Sequence, residues 1–181
     1  MKHLNLVFGV LRQHGLKLKQ SKCAFGLTQI DYVGHIISTK GVRNHPQKIL
    51  AAQNWPLPAD IKELRGFLGL TGYYRRFIKD YGKLAKPCNE LLKKDGFLWT
   101  EQAAQIFQLL ENIMVSTPML ALPDFSKEFT VETDASRGGI GAVLTQQGRP
   151  LAFFTKMLSK AHQALSVYER EMMAVLCAVQ K

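Results

Sequence analysis

Three runs of alternating apolar and polar residues, FTVETDA, GGIGAVLTQQ and RPLAFFTKML, follow one another from Phe129 to Leu158 with only short turn-forming stretches between them. A period of two sends successive side chains to opposite faces, so each run reads as a strand, and connections this short join only antiparallel neighbours. A three-strand antiparallel meander is expected there. Elsewhere the spacing is helical. Leu4, Val7, Phe8 and Leu11 recur at i, i+3, i+4, i+7, with Gly15 as a C-cap. Asn44 is expected to cap a helix from about His45 to Trp55, with Pro46 in its first turn. Asp60 and Glu63 form a capping-box pattern ahead of LRGFLGLTGYYRRFIKD. A short helix follows from about Lys83 to Lys94. Trp99 and Thr100 introduce a longer one, with an apolar stripe of Ile106, Phe107, Leu110, Ile113 and Met114. Thr117-Pro118 ends it, ALPDFSK reads as a linker, and a last helix is expected from about His162 to Lys181. Near the start, Cys23–Phe25 and Ile30–Ile37 read as the two strands of a hairpin, ended by a turn at Lys40-Gly41. Runs of helix and antiparallel strand kept apart in this way define an α+β chain.

Composition narrows the function. No apolar run approaches the roughly 18–20 residues that span a bilayer. The opening MKHLNLVFGVLRQHG lacks a small-residue cleavage site, so no signal peptide is expected and an intracellular setting is. Cys23, Cys88 and Cys177 lie far apart, which argues for a reducing compartment and against a structural zinc site. Charge is uneven. Residues 1–94 carry 17 Lys/Arg against 5 Asp/Glu, whereas residues 95–181 carry 7 against 9. The first half is an electrostatic footprint suited to a polyanion, or merely a soluble lysine-rich surface.

Two carboxylates stand out. In FTVETDA the pleat places Phe129, Val131 and Thr133 on one face and Thr130, Glu132 and Asp134 on the other. Asp134 is open to two readings, a turn-former ahead of Ala135-Ser136-Arg137-Gly138 or a metal ligand. On the last helix, Val167 and Val175 flank Glu171, beside a stripe of Ala164, Tyr168, Met172, Val175 and Val179, while Glu169 points away. Glu171 is thus expected to face the protein, where a carboxylate needs a cation or a partner such as Arg137, Arg149 or Lys156. A strand carboxylate and a carboxylate on the helix packed over that strand suit Mg²⁺, which takes oxygen ligands from one or two carboxylates plus phosphate. Gly66, Gly69 and Gly72 recur within a helix, and Gly138, Gly139 and Gly141 lead into a strand. Neither run has the strand-turn-helix setting of a phosphate-cradling loop, and no small-molecule substrate is indicated.

The ordered motifs KCAFG, DYVGHIIS, NWPLPADIKELRGFLGLTGYYRRFI, KPCNELLKKDGFLWT and PDFSKEFTVETDASRGGIGAVLTQQGRPLAFFTKMLSKAHQALSVYEREMMAV together resemble the pol polyprotein of gypsy-type LTR retrotransposons, across essentially the whole chain. The resemblance implies the end of a reverse transcriptase palm over residues 1–40. Its primer-grip-like hairpin there includes Tyr32, Gly34 and His35. Residues 41–126 would be thumb and linker, and 127–181 an incomplete RNase H-like domain in which Asp134 and Glu171 match metal-binding, catalytic carboxylates that use Mg²⁺ in the family, an ion this incomplete site is not expected to hold stably. It also implies that Lys62, Arg65, Arg75, Arg76, Lys79, Lys83 and Lys86 face an RNA–DNA hybrid or duplex, bound without sequence preference. No Tyr-x-Asp-Asp occurs in the sequence. By the family's pattern the polymerase carboxylates would precede Met1 and the later RNase H acids would follow Lys181. The expected function is therefore that of a reverse transcriptase/RNase H fragment inactive alone, the alternatives being a non-catalytic nucleic-acid-binding module or a relic of a decayed element.

Overall fold

A computed structural model describes residues 2–93 and 97–181. Among them the fold is α+β: two three-stranded antiparallel sheets, with a helical unit between them in sequence. The first sheet is β1 (Gln29–Tyr32), β2 (His35–Ser38) and β3 (Gly41–Asn44). It corrects the expected hairpin. Ile30–Ile37 is not one strand but two, folded at Val33-Gly34 with Tyr32 paired to His35, and Cys23–Phe25 lies outside any strand. The two-residue turn needs positive φ at both positions, and Val33 and Gly34 supply φ of 45° and 76°. Gly41 ends the turn after β2 and opens β3. Its φ is 142°, and a Cβ there would lie 2.2 Å from the Leu120 carbonyl oxygen, so only glycine fits where Val42 and Leu120 exchange backbone hydrogen bonds.

The helical unit comprises α2 (Pro46–Gln53), α3 (Ile61–Tyr73), α4 (Tyr81–Leu84), α5 (Lys86–Glu90) and α6 (Glu101–Val115). Thr100 caps α6 as the sequence predicts, accepting from the Ala103 amide at 3.1 Å. His45, not Asn44, caps α2, through Nδ1 and the Gln47 amide. Asn44 instead ends β3, buried, and donates to Thr117 Oγ1 at 3.1 Å. The expected helix from Lys83 is broken into α4 and α5. Pro87 has no amide to donate back into α4, and Lys94 lies outside the described residues. Leu64, Phe67, Phe77, Leu110 and Met114 form the centre of a continuous core, with Phe67 and Phe107 ring centroids 4.4 Å apart. By contrast α1 (Lys2–Gln13) buries no residue fully, and Leu6, Val7 and Val10 are exposed.

The second sheet is the predicted meander: β4 (Thr130–Ala135), β5 (Gly139–Gln146) and β6 (Arg149–Met157), in that order. The linker before it is tied down by the Gln146 side chain, which accepts from the Asp124 amide at 2.9 Å and donates to its carbonyl at 2.8 Å. The expected last helix is two, α7 (Lys160–Gln163) and α8 (Val167–Val179). Ser166 starts α8 anew by a capping box, its Oγ accepting from the Glu169 amide and the Glu169 carboxylate accepting from the Ser166 amide at 2.8 Å. The side of α8 that meets the sheet differs from the one expected. Ala174 packs with Ile140 and Leu158, beside Met173 and Cys177, while Val167, Tyr168, Met172, Val175 and Val179 are exposed.

Candidate functional site

Two groups of residues carry chemistry, one at each sheet. The first is the β1–β2 turn. The Tyr73 hydroxyl donates to the Val33 carbonyl at 2.6 Å, and the Tyr74 hydroxyl donates to the Gly34 carbonyl at 2.9 Å. These bonds fasten the turn to the end of α3. The Tyr74 ring is buried, whereas Tyr73 is about half exposed. His35 lies parallel to Tyr73 and close to parallel with Phe77, each at 5.3 Å between centroids, and meets Tyr74 edge-on. Burial, with the Arg76 charge adding to it, lowers its pKa and favours the neutral ring. Its Nδ1 is buried and has no hydrogen-bond partner within the described chain. Arg75, Arg76, Gly72, Tyr73 and His35 line a cleft of about 380 Å³.

The structure thus brings Gly34 and His35 together with Arg75 and Arg76, while Tyr32 is exposed on the same hairpin. Lys62, Arg65 and Gly69 are exposed along α3 and continue the surface towards Tyr73 and Arg76. Lys79 lies apart, in a cleft beside Asp80, Glu132 and Asp134. The fastening role of Tyr73 and Tyr74 was not read from the sequence. Adjacent tyrosines at a helix end were the only signal, and long-range hydroxyl bonds leave no local pattern.

The second group surrounds Asp134. Its register partner is Gly141, and the two share a sheet face with Glu132, Val143, Phe153 and Thr155. That face meets the helical unit: Phe153 packs on the helical core, and the Gly82 amide donates to Thr155 Oγ1 at 2.9 Å. Alternate residues Ala135, Ile140 and Phe154 face α8. Asp134 and the α8 contact residues therefore occupy opposite faces of the sheet. Glu171 is half-buried on the flank of α8 and makes no ion pair among the described residues, whether with Arg137, Arg149, Lys156 or another cation. Asp134 is exposed, and the cation beside it is Lys83, whose Nζ lies 3.5 Å from Asp134 Oδ2 and 3.3 Å from Asp80 Oδ1. Lys83 is accordingly turned to the sheet and does not belong to the free basic surface. No three Asp, Glu, His or Cys side chains converge among the described residues.

A family model described as the RNase H-like domain found in reverse transcriptase matches residues 99–181. The retrovirus-related Pol polyprotein from transposon 297 of Drosophila melanogaster is 40% identical over 98% of this chain. An uncharacterized mitochondrial protein of Arabidopsis thaliana is 50% identical over 71% of it. The chain spans 17% of the transposon polyprotein and 83% of the Arabidopsis protein. Among solved structures, the foamy viral protease-reverse transcriptase in complex with RNA/DNA hybrid superposes with a TM-score of 0.84 at 20% identity, over 98% of this chain and 25% of that one. The fold is shared across that distance. No helix among the described residues is long and apolar enough to cross a membrane. Residues 99–181 belong to the RNase H-like domain family found in reverse transcriptase, in a chain that is similar along nearly its whole length to a segment of the Pol polyproteins of transposons 297 and gypsy.

Proposed function

We propose that this segment binds an RNA–DNA hybrid or duplex through its backbone, without sequence preference and without chemistry of its own. One observation carries the proposal: exposed Arg65, Arg75 and Arg76 continue the α3 surface up to the clasped β1–β2 turn, presenting cations and the Tyr32-Val33-Gly34-His35 tip together. In this reading residues 1–40 are the palm end with a primer-grip-like hairpin, 41–126 are thumb and linker, and 127–181 are RNase H-like. Lys62, Arg65, Arg75 and Arg76 contact phosphates, Lys79 standing apart in the carboxylate cleft, and Tyr32, Gly34 and His35 position a strand end. The setting is intracellular and reducing, in keeping with three free cysteines.

Asp134 and Glu171 stand in the proposal at the positions of the family's metal carboxylates. Mg²⁺ would supply charge neutralisation at a phosphoryl group there. The arrangement does not favour a shared ion, because an ammonium already adjoins Asp134 and the side chains that pack α8 on the sheet lie on the opposite face from it. No step is assigned to the metal.

The test is fluorescence anisotropy of a labelled hybrid across a salt series. About four phosphate contacts give a slope of log K on log salt of roughly −3 to −4. Arg75→Glu/Arg76→Glu is expected to weaken binding at least tenfold and to flatten that slope by about 2. Unchanged affinity in the double variant would refute the surface. Mg²⁺-dependent hybrid cleavage by the wild-type chain that is lost in Asp134→Asn would refute the absence of chemistry.

A further inference from the structure

We infer that Lys83 is an internal cation for Asp134: it clasps the helical unit to the RNase H-like sheet and competes with divalent cations for that carboxylate. The inference rests on reading Asp134 as the family's strand carboxylate. Three features show a formed contact in place of a chance surface pair. First, one ammonium is shared between carboxylates of two separate units, at 3.3 Å from Asp80 and 3.5 Å from Asp134. Second, Asp80 stands at the N-cap position of α4 in the left-handed region (φ 57°), its carbonyl accepting the Leu84 amide at 3.0 Å while its carboxylate makes no capping bond and is left to Lys83. Third, the approach depends on missing side chains. A Cβ at Gly141, directly across from Asp134, would lie 3.3 Å from Asp80 Oδ1, and one at Gly82 would lie 2.9 Å from Thr155 Oγ1. The Gly82–Thr155 hydrogen bond at 2.9 Å then fixes α4 over the strand, so that Lys83, one residue later, reaches the carboxylate.

The consequence is electrostatic. A divalent ion at Asp134 would sit a few ångströms from the Lys83 ammonium, and that repulsion weakens its binding by roughly tenfold even at a water-like dielectric constant. Ion and lysine are therefore alternatives at Asp134. Displacing the lysine also loosens one tie between the helical unit and the sheet.

Mn²⁺ is the probe, with its free fraction read by electron paramagnetic resonance on the full 181-residue chain. The expected result is weak binding by the wild type, about tenfold tighter binding by Lys83→Met, and loss of that gain in Lys83→Met/Asp134→Asn. Lys83→Arg, which keeps the charge, is expected to stay near the wild type. Melting curves of each variant establish that it is folded. If Lys83→Met leaves the affinity unchanged while Asp134→Asn lowers it, Asp134 is a ligand but Lys83 does not compete, and the inference is overturned alone. If neither substitution changes Mn²⁺ binding, the ligand reading of Asp134 is overturned with it.

Discussion

Replacing Tyr74 by phenylalanine removes one oxygen atom and tests what holds the β1–β2 turn. The ring stays: it is 1% exposed, packed edge-on against His35 and Tyr73. What goes is the hydroxyl that donates to the Gly34 carbonyl at 2.9 Å. That carbonyl also accepts from the His45 amide at 3.0 Å, so it is not orphaned, and the cost is that of one net hydrogen bond, about 1 kcal/mol. Every residue of β1 is exposed, so few other contacts resist opening of the hairpin. About 1 kcal/mol is a fivefold change in the opening equilibrium. Amide hydrogen exchange by mass spectrometry reads it directly. Peptides covering 29–38 are expected to exchange about fivefold faster in Tyr74→Phe, and peptides within α6 to be unchanged. Equal exchange at 29–38 would mean that the hydroxyl does not hold the turn. An equal rise in both regions would mean that it acts on global stability, which refutes the clasp as a local device.

Other consequences follow from burial. Phe67→Ala, at a side chain with no exposure between Phe107 and Trp55, is expected to cost about 3–5 kcal/mol and to lower the calorimetric melting temperature by roughly 10 °C. Burial pushes the Cys88 thiol from its ordinary 9.0 up to about 11, so its contribution is complete below about pH 9 and is lost as pH rises towards 11. Urea melts should show the wild type losing about 2–3 kcal/mol more than Cys88→Ala over that interval, the buried Tyr74 and Tyr81 adding a loss common to both. Tyr168→Lys, at a ring 87% exposed, is expected to change stability by no more than about 0.5 kcal/mol and to raise the concentration at which the chain stays monodisperse by light scattering.

Much of the architecture was legible where structure depends on local signals. The meander over residues 130–157 follows from the period of two, and the starts of α3 and α6 follow from Asp60 and Thr100, whose side-chain oxygens accept the Glu63 and Ala103 amides. At Asp60 the box is offset, since Glu63 reaches back to the Ala59 amide. The failures share a cause. Cys23–Phe25 and Ile30–Ile37 both alternate and so suggest a pair, yet β2 pairs onward to β3, which is held from outside by Leu120, far away in sequence. On α8 the bulky residues Tyr168, Met172 and Val175 suggested the inner face. A helix lying close on a sheet instead favours small side chains at its centre, and Ala174 is buried there with Cys177 and the flexible Met173 beside it. Bulk is countable along a sequence, whereas the distance between packed layers is not.

The carboxylates obey the same distinction between local pattern and packed layers. The pleat correctly placed Glu132 and Asp134 on one face of β4, and period alone says nothing of what covers that face. In the fold, α4 and the turn before it cover it, bringing Asp80 and Lys83 to Asp134, while α8 takes the other side through Ile140 and Leu158. A carboxylate acquires the partner of the layer that lands on it. Glu171, on the flank of α8, has no ion-pair partner among the described residues, and Asp134, whose face is covered by a basic unit, has a lysine. The charge asymmetry of the sequence, basic before residue 95 and slightly acidic after it, therefore has two structural uses. Arg65 is exposed on α3 and Arg75 and Arg76 on the turn after it, where they also border a cleft against the second sheet, and Lys83 turns inward to join the two halves.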